Sequence, residues 1–213
     1  MMKIMNLLLI RHGKNDWVGE RLAGWTPGVH LNQEGRTQAA ALVQQLAHIS
    51  LSAIYSSPLE RTVETAQPLA QARGLAVQVR QELGEAQYGD WTGRALKELE
   101  GDELWPIVQV YPGGMRFPNG ESMREIQARL VAELDTIRDA HPDQTVAVVS
   151  HSDPIKMAVA YYLGLPLDLF QRISISPASV TAFSFTRFGP RLICLNHTGD
   201  LPLFEAEEKD KEQ

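Results

Sequence analysis

The chain has little cysteine, no surplus of positive charge and no long apolar run, and each shortage removes a class of protein. Its 213 residues include one cysteine, Cys194, which excludes an internal disulfide and suits a reducing compartment. Cys194 stands among Leu192, Ile193 and Leu195, where a thiol packs rather than reacts. Lys and Arg number 20 against 26 Asp and Glu, a formal net charge of -6. A nucleic-acid partner calls for a basic excess, so none is expected. No segment approaches the roughly 20 consecutive apolar residues that cross a bilayer, so no membrane partner is expected. The first residues make a poor signal peptide, because a very short apolar run after Lys3 passes straight into Arg11-His12-Gly13. A cytoplasmic protein is the expectation. Also missing are a Walker phosphate loop, a dinucleotide-binding glycine fingerprint, a His-Glu-x-x-His zinc helix and a Gly-x-Ser-x-Gly elbow. Ser150-His151-Ser152-Asp153 is therefore no serine-hydrolase site, since adjacent residues cannot form a triad.

What is present is an alternation of strand and helix signals. Residues 7–10 are all apolar, the pattern of a short strand buried on both faces of a parallel sheet. A helix of about four turns follows Leu31-Asn32-Gln33-Glu34-Gly35, with Ala39, Ala40, Leu42, Val43 and Leu46 on its apolar face. Ser57-Pro58 and Asp153-Pro154 each read as an N-cap followed by a first-turn proline, opening helices at 59–73 and 155–163. Gly74 closes the first of these, and a longer amphipathic helix begins at Glu121. Strands are expected at 53–56, 75–80, 146–149, 173–175, 179–185 and 191–195. Between 81 and 120, glycines and prolines break the pattern around one helical piece near 96–110, as an insertion over the sheet edge would. The alternation predicts an α/β fold, a three-layer α/β/α sandwich with a mostly parallel central sheet. Residues 1–204 read as one domain carrying a pocket-covering insertion at about 81–120, and 205–213 as a charged, disordered tail.

Ligands of open α/β sheets sit beyond the carboxyl ends of the strands. Here the first strand delivers Arg11 and His12, the second Ser56 and Ser57 with Arg61 one turn into the next helix, and the fourth His151. If these strands are neighbours, arginines and histidines converge on one edge, a set suited to a tetrahedral dianion. Trp17 and Trp25 are either pocket walls or packing.

Five separated blocks, in order along nearly the whole chain, resemble the histidine phosphatase superfamily and its phosphoglycerate mutase-like branch. They are Leu9-Ile10-Arg11-His12-Gly13, Ser56-Ser57-Pro58-Leu59-Glu60-Arg61-Thr62, Glu85 with Tyr88-Gly89-Asp90-Trp91-Thr92-Gly93, Pro118-Asn119-Gly120-Glu121-Ser122, and Val148-Val149-Ser150-His151. The resemblance implies a nucleophile at His12, phosphoryl binding by Arg11, Arg61 and His151, and a proton donor at Glu85. It also implies a small phosphorylated substrate, hydrolysis through a phosphohistidine, and no metal or cofactor. A mutase and a catalytically idle phospho-ligand binder on the same fold are the alternatives. The remaining histidines, His30, His48, His141 and His197, match no catalytic position of the family.

Departures from the family pattern bear on the substrate. Asn15 stands where Ser or Thr is usual, Val18 where Asn is usual, and Ser152-Asp153-Pro154 replaces a Gly-rich run. Lys14, Asn15 and Arg21 are candidate substrate contacts. The stretch between Glu85 and His151 is short beside the insertion of true mutases, which favours hydrolysis. The sequence leaves the substrate and the oligomeric state open, a homodimer included.

Overall fold

The computed structural model describes residues 4–199 and 201. Six strands form one sheet: β1 (Met5–Arg11), β2 (Ala53–Ser56), β3 (Val77–Val79), β4 (Thr145–Ser150), β5 (Val180–Thr186) and β6 (Gly189–His197). Their order is β3-β2-β4-β1-β5-β6. The pairs β3–β2, β2–β4 and β4–β1 are parallel, whereas β5 and β6 continue the sheet antiparallel. The mixed α/β architecture and mostly parallel sheet match the sequence-based expectation.

Strand β1 is apolar without alternation because both its faces are covered. Leu8 and Ile10 pack with Ala147, Val149 and the helices α1 (Gln33–Gln45) and α2 (Glu60–Arg73). Leu7 and Leu9 pack on the other face with Val146, Val148 and the helices α5 (Met123–Ala140) and α6 (Ser152–Tyr162). Between α2 and α5 lie the short helices α3 (Leu96–Leu99) and α4 (Trp105–Val110). The 81–120 segment does more than lie over the sheet edge. Its Leu83, Tyr88, Trp91, Leu99, Val108 and Phe117 join the same apolar cluster as Leu7 and Leu9.

Local signals account for most element ends. Asn32 caps α1 by accepting the Gly35 N–H, Gly74 ends α2 at φ 63°, and Ser122 with Glu125 forms a capping box on α5. Several expectations need correction. Ala40 is exposed and Val43 only half-buried, so the buried stripe of α1 is narrower than its sequence suggests. Helix α2 starts at Glu60, with Leu59 as its uncapped N-cap, because the Ser57 hydroxyl is turned to His151. Helix α6 starts at Ser152 with His151 in the N-cap position, and the proline is absorbed in the first turn, where its missing N–H has no helical partner to lose. The helical piece near 96–110 is two helices, and the 173–175 segment buries Ile173 and Ile175 but pairs with no strand. The tail expected at 205–213 lies outside the described residues. Among the described residues no helix is long and apolar enough to cross a membrane.

Candidate active site

Strand β4 lies between β1 and β2, although it follows both in the chain. The helix leaving β1 covers one face of the sheet and the helix leaving β4 covers the other. The crevice at the ends of β1 and β4 is therefore a topological switch point, where α/β sheets bind ligands. In the ladder, Arg11 pairs with Ser150 and Ser56 with Val149. One further bond on each side, His12 N–H to the Ser150 carbonyl and Ser57 N–H to the Val149 carbonyl, carries the alignment past the strand ends. His12, Ser57 and His151 thus sit side by side.

The loop after β1 presses against the first turn of α1. A Cβ on Gly13 would stand 2.7 Å from the Gly35 carbonyl oxygen, and one on Gly35 would collide with the Lys14 carbonyl. With no side chain at either position, the loop and the start of α1 approach closely behind His12. The Gly13 carbonyl takes the His12 Nδ1–H at 2.7 Å, which assigns the proton to Nδ1 and leaves Nε2 with a free lone pair. His151 lies 5.3 Å from His12, ring centre to ring centre, and its Nε2 meets the Ser57 hydroxyl at 2.8 Å. The opposite nitrogen, Nδ1, is buried without a hydrogen-bond partner.

A buried guanidinium, Arg61, and a partly buried one, Arg11, face the same place. Arg61 spends one nitrogen on the Gly24 carbonyl at 2.8 Å, and its Nε and Nη1 have no partner. Arg11 donates to the Ile175 carbonyl at 2.6 Å, and its Nε is likewise unpaired. Buried cationic donors without acceptors are costly, and an oxyanion seated between them satisfies them. Burial pushes the pKa of His12 well below the usual histidine value, and Arg61 and Arg11 push it further. Burial, then Arg61, His12 and Arg11, does the same to His151. Both imidazoles are neutral at neutral pH.

Glu85 is 8% exposed and hangs over this floor from the segment between β3 and α3. Its pKa is pushed up to about 7, chiefly by burial and then by Asp153, against the pull of Arg61, the Ala86 N–H and Arg11. The Glu85 carboxyl stands 3.9 Å from His151 Nδ1, too far for a hydrogen bond. Its backbone is pinned from outside the pocket. Arg129 on α5 donates to the carbonyls of Glu82, Gly84 and Glu85, while Glu121 holds the same guanidinium at 2.7 Å and accepts the Gln87 N–H. Trp25 Nε1–H adds a bond to the Glu85 carbonyl at 2.6 Å. Trp25 is thus a brace for Glu85, and Trp17 is a pocket wall.

Arg11, His12, Asn15, Arg21, Arg61 and Glu85 line one cavity of about 190 Å³, together with Tyr88 and Asp153. His151 sits behind its surface, fully buried. Lys14 is not part of it: the ammonium turns outward to Glu34 at 2.7 Å. Arg21 stands at the mouth and bonds the Gly93 carbonyl, and Asn15 uses its side-chain oxygen to accept the Trp17 N–H. Sequence reasoning missed the Ser57–His151 bond, the Tyr88–Asp153 bond and the Arg129–Glu121 clamp. No local pattern announces contacts between positions so far apart. Among the described residues, no group of three or more His, Cys, Asp or Glu is placed to hold a metal ion.

The chain matches the model of the histidine phosphatase superfamily (branch 1) over residues 7–198. It is 31% identical to phosphoserine phosphatase 1 of Hydrogenobacter thermophilus, over 96% of this chain and 98% of that protein. It is 30% identical to a Cronobacter sakazakii protein bearing the name "Probable phosphoglycerate mutase GpmB", over 85% of this chain and 86% of that one. A solved phosphoserine phosphatase of Entamoeba histolytica, in complex with 3-phosphoglyceric acid, superposes with a TM-score of 0.82. That match has 28% identity and covers 90% of this chain and 96% of that one.

Proposed function

Because this chain belongs to the histidine phosphatase superfamily, we propose that it is a phosphomonoesterase acting through a phosphohistidine at His12. The observation that carries the reading is the pairing of a neutral His12, its Nε2 free, with two arginines whose buried, unpaired donors await an oxyanion. The Nε2 lone pair attacks phosphorus in line with the ester oxygen, and the P–O bond to the alcohol breaks. Arg11 and Arg61 hold the non-bridging oxygens, and His151 adds a donor from Nδ1 when its proton sits there. Glu85 gives its proton to the departing alkoxide. The resulting carboxylate then takes a proton from water, whose oxygen attacks the phosphohistidine and restores neutral His12 with release of phosphate. The two guanidiniums supply the positive charge that a metal supplies elsewhere, so activity independent of metal is part of the proposal. So is a single domain in which the 81–120 segment, through Glu85, Tyr88 and Leu96, covers the pocket. A small phosphorylated substrate, processed in the cytoplasm, completes it.

The test is hydrolysis of p-nitrophenyl phosphate in excess EDTA. Turnover is expected to persist, and loss of all activity on chelation would overturn the metal-free scheme. A second reading, phosphoglycerate mutase, draws on the name of the Cronobacter relative. Primer-dependent conversion of 3- to 2-phosphoglycerate exceeding phosphate release would establish it.

The pH profile follows from the displaced groups. Cleavage of an alkyl phosphate needs Glu85 protonated, and its pKa is about 7. The profile of kcat/KM is therefore expected to fall about tenfold per pH unit above 7, because that parameter reports the free enzyme. His12 titrates well below 6.5, so it causes no loss near neutrality. A descending limb near 4.5 would contradict the assignment.

Arg129 is expected to act as a positioning residue. Arg129→Met frees three carbonyls of the Glu85 segment, and a shift of about 1 Å in a reacting group costs on the order of 100-fold. The loss in kcat/KM should fall on alkyl phosphates and spare that for p-nitrophenyl phosphate, whose leaving group needs no proton in the phosphoryl-transfer step. Equal losses on both would indicate general unfolding.

A further inference from the structure

Asp153 lines the pocket beside Glu85, and beyond helping to raise the Glu85 pKa it has no part in the phosphoryl-transfer scheme. It is the second residue of α6, and its side chain is 24% exposed. The carboxylate is held in place on two sides. Tyr88 donates its hydroxyl to Oδ2 at 3.1 Å, and Lys156, one turn along the helix, approaches Oδ1 at 3.4 Å. A carboxylate offers about four acceptor positions, so these two partners leave acceptors unfilled.

The rest of the wall is different in kind. Val18, Leu22, Ala23 and Leu96 are apolar, Asn15 and Ser152 are polar but uncharged, and Arg21 is bound to a backbone carbonyl at the mouth. Arg11 and Arg61 match the charge of a seated phosphate dianion. Glu85 is the other lining carboxyl, and it enters the reaction protonated. Beyond the phosphate, the leaving group therefore meets one fixed negative charge. Asp153 lines the same cavity as His12, Arg11, Arg61 and Glu85, and Glu85 gives its proton to the ester oxygen, so a leaving group of a few atoms meets Asp153 close to that oxygen.

We propose that Asp153 is a specificity-determining residue that selects phosphomonoesters whose alcohol carries an ammonium near the ester oxygen, a 2-aminoethyl phosphate unit. The proposal rests on the phosphatase reading and adds the substrate class. An ammonium fills the open acceptors with a charge-assisted hydrogen bond. An apolar group leaves them desolvated, and a carboxylate is repelled, which is how a pocket rejects as well as accepts.

Non-hydrolysable phosphonates test this without involving Glu85 as an acid. Calorimetric titration of the full chain compares 3-aminopropylphosphonate, 3-hydroxypropylphosphonate, n-butylphosphonate and 3-phosphonopropionate, which differ at one end. Wild-type protein is expected to bind the amine about tenfold tighter than the hydroxyl or butyl compound, and tighter still than the carboxylate. Asp153→Asn should shrink the amine advantage to within about threefold. Lys156→Gln removes the competing cation and should widen it. Equal binding of amine and hydroxyl by the wild type, or an amine preference that survives Asp153→Asn, overturns the proposal. Turnover of p-nitrophenyl phosphate by the same preparation keeps the two readings apart. Turnover with no amine preference sinks only this inference, and amine-selective binding without turnover sinks the hydrolase.

Discussion

Replacing His12 with alanine is expected to abolish phosphomonoester turnover, with a loss on the order of 10⁴-fold or more on every substrate, p-nitrophenyl phosphate included. The even loss is the informative part. If His12 Nε2 forms the bond to phosphorus, no leaving group is good enough to bypass it, whereas a residue that only orients substrate loses most on poor substrates. The site leaves no substitute nucleophile: the Nε2 of His151 is engaged by Ser57, and His151 lies behind the cavity surface. The fold should tolerate the change, since the Gly13 and Gly35 backbones that shape the loop stay in place. Mass spectrometry of acid-free quenched enzyme should find a phosphoryl adduct on the wild type and none on the variant. Substantial activity in His12→Ala would remove the covalent scheme.

The second large effect is expected at Glu85. Glutamine keeps the shape and the hydrogen bond from the Ala86 N–H but has no acidic proton. Glu85→Gln should slow alkyl phosphate hydrolysis by about 10²–10⁴-fold, the usual worth of a positioned general acid. For p-nitrophenyl phosphate the first step needs no such help, so formation of the phosphoenzyme should stay within about tenfold of wild type. Its breakdown still needs a base, and the phosphohistidine should accumulate as a burst of nitrophenolate. The wild-type fall in kcat/KM above pH 7 should also disappear in the variant. A uniform loss with the pH limb intact would place the acid elsewhere.

Much of this site was legible because its parts hang on strands whose burial is written in their composition. Residues 7–10 and 146–149 are apolar at every position, and each ends on a histidine after a stretch that can only be interior. Their adjacency was a condition the sequence could only pose, and the β1–β4 and β2–β4 ladders meet it. The helix starts were less so, because Ser57 and Asp153 are good capping residues employed for something else. Ser57 bonds His151 and Asp153 faces the cavity, so each helix takes its start from a neighbour. Lys14 misled by proximity: one position past Gly13 the chain has turned, and the side chain leaves the site for Glu34. The 173–175 segment alternates as a strand would because Ile173 and Ile175 are buried, yet the Ile175 carbonyl accepts from Arg11 instead of entering a ladder. Arg129 could not be found at all, since it recognises backbone carbonyls and these leave no trace in side-chain identity.

The insertion of β4 between β1 and β2 has a consequence for how the protein comes into being. Asn6 and Thr145, paired at the start of the β1–β4 ladder, are separated by 139 residues. Closing a loop of that length carries a large entropic cost before any contact rewards it, and such pairings form late and slowly. Until β4 enters its slot, β1 and β2 have an open gap between them, and His12 lacks His151 at its side. A chain emerging from the ribosome has made all of α1 and α2 well before it can make a phosphate site. The capacity to bind a dianion is thus a property of the completed sheet, acquired in one late step.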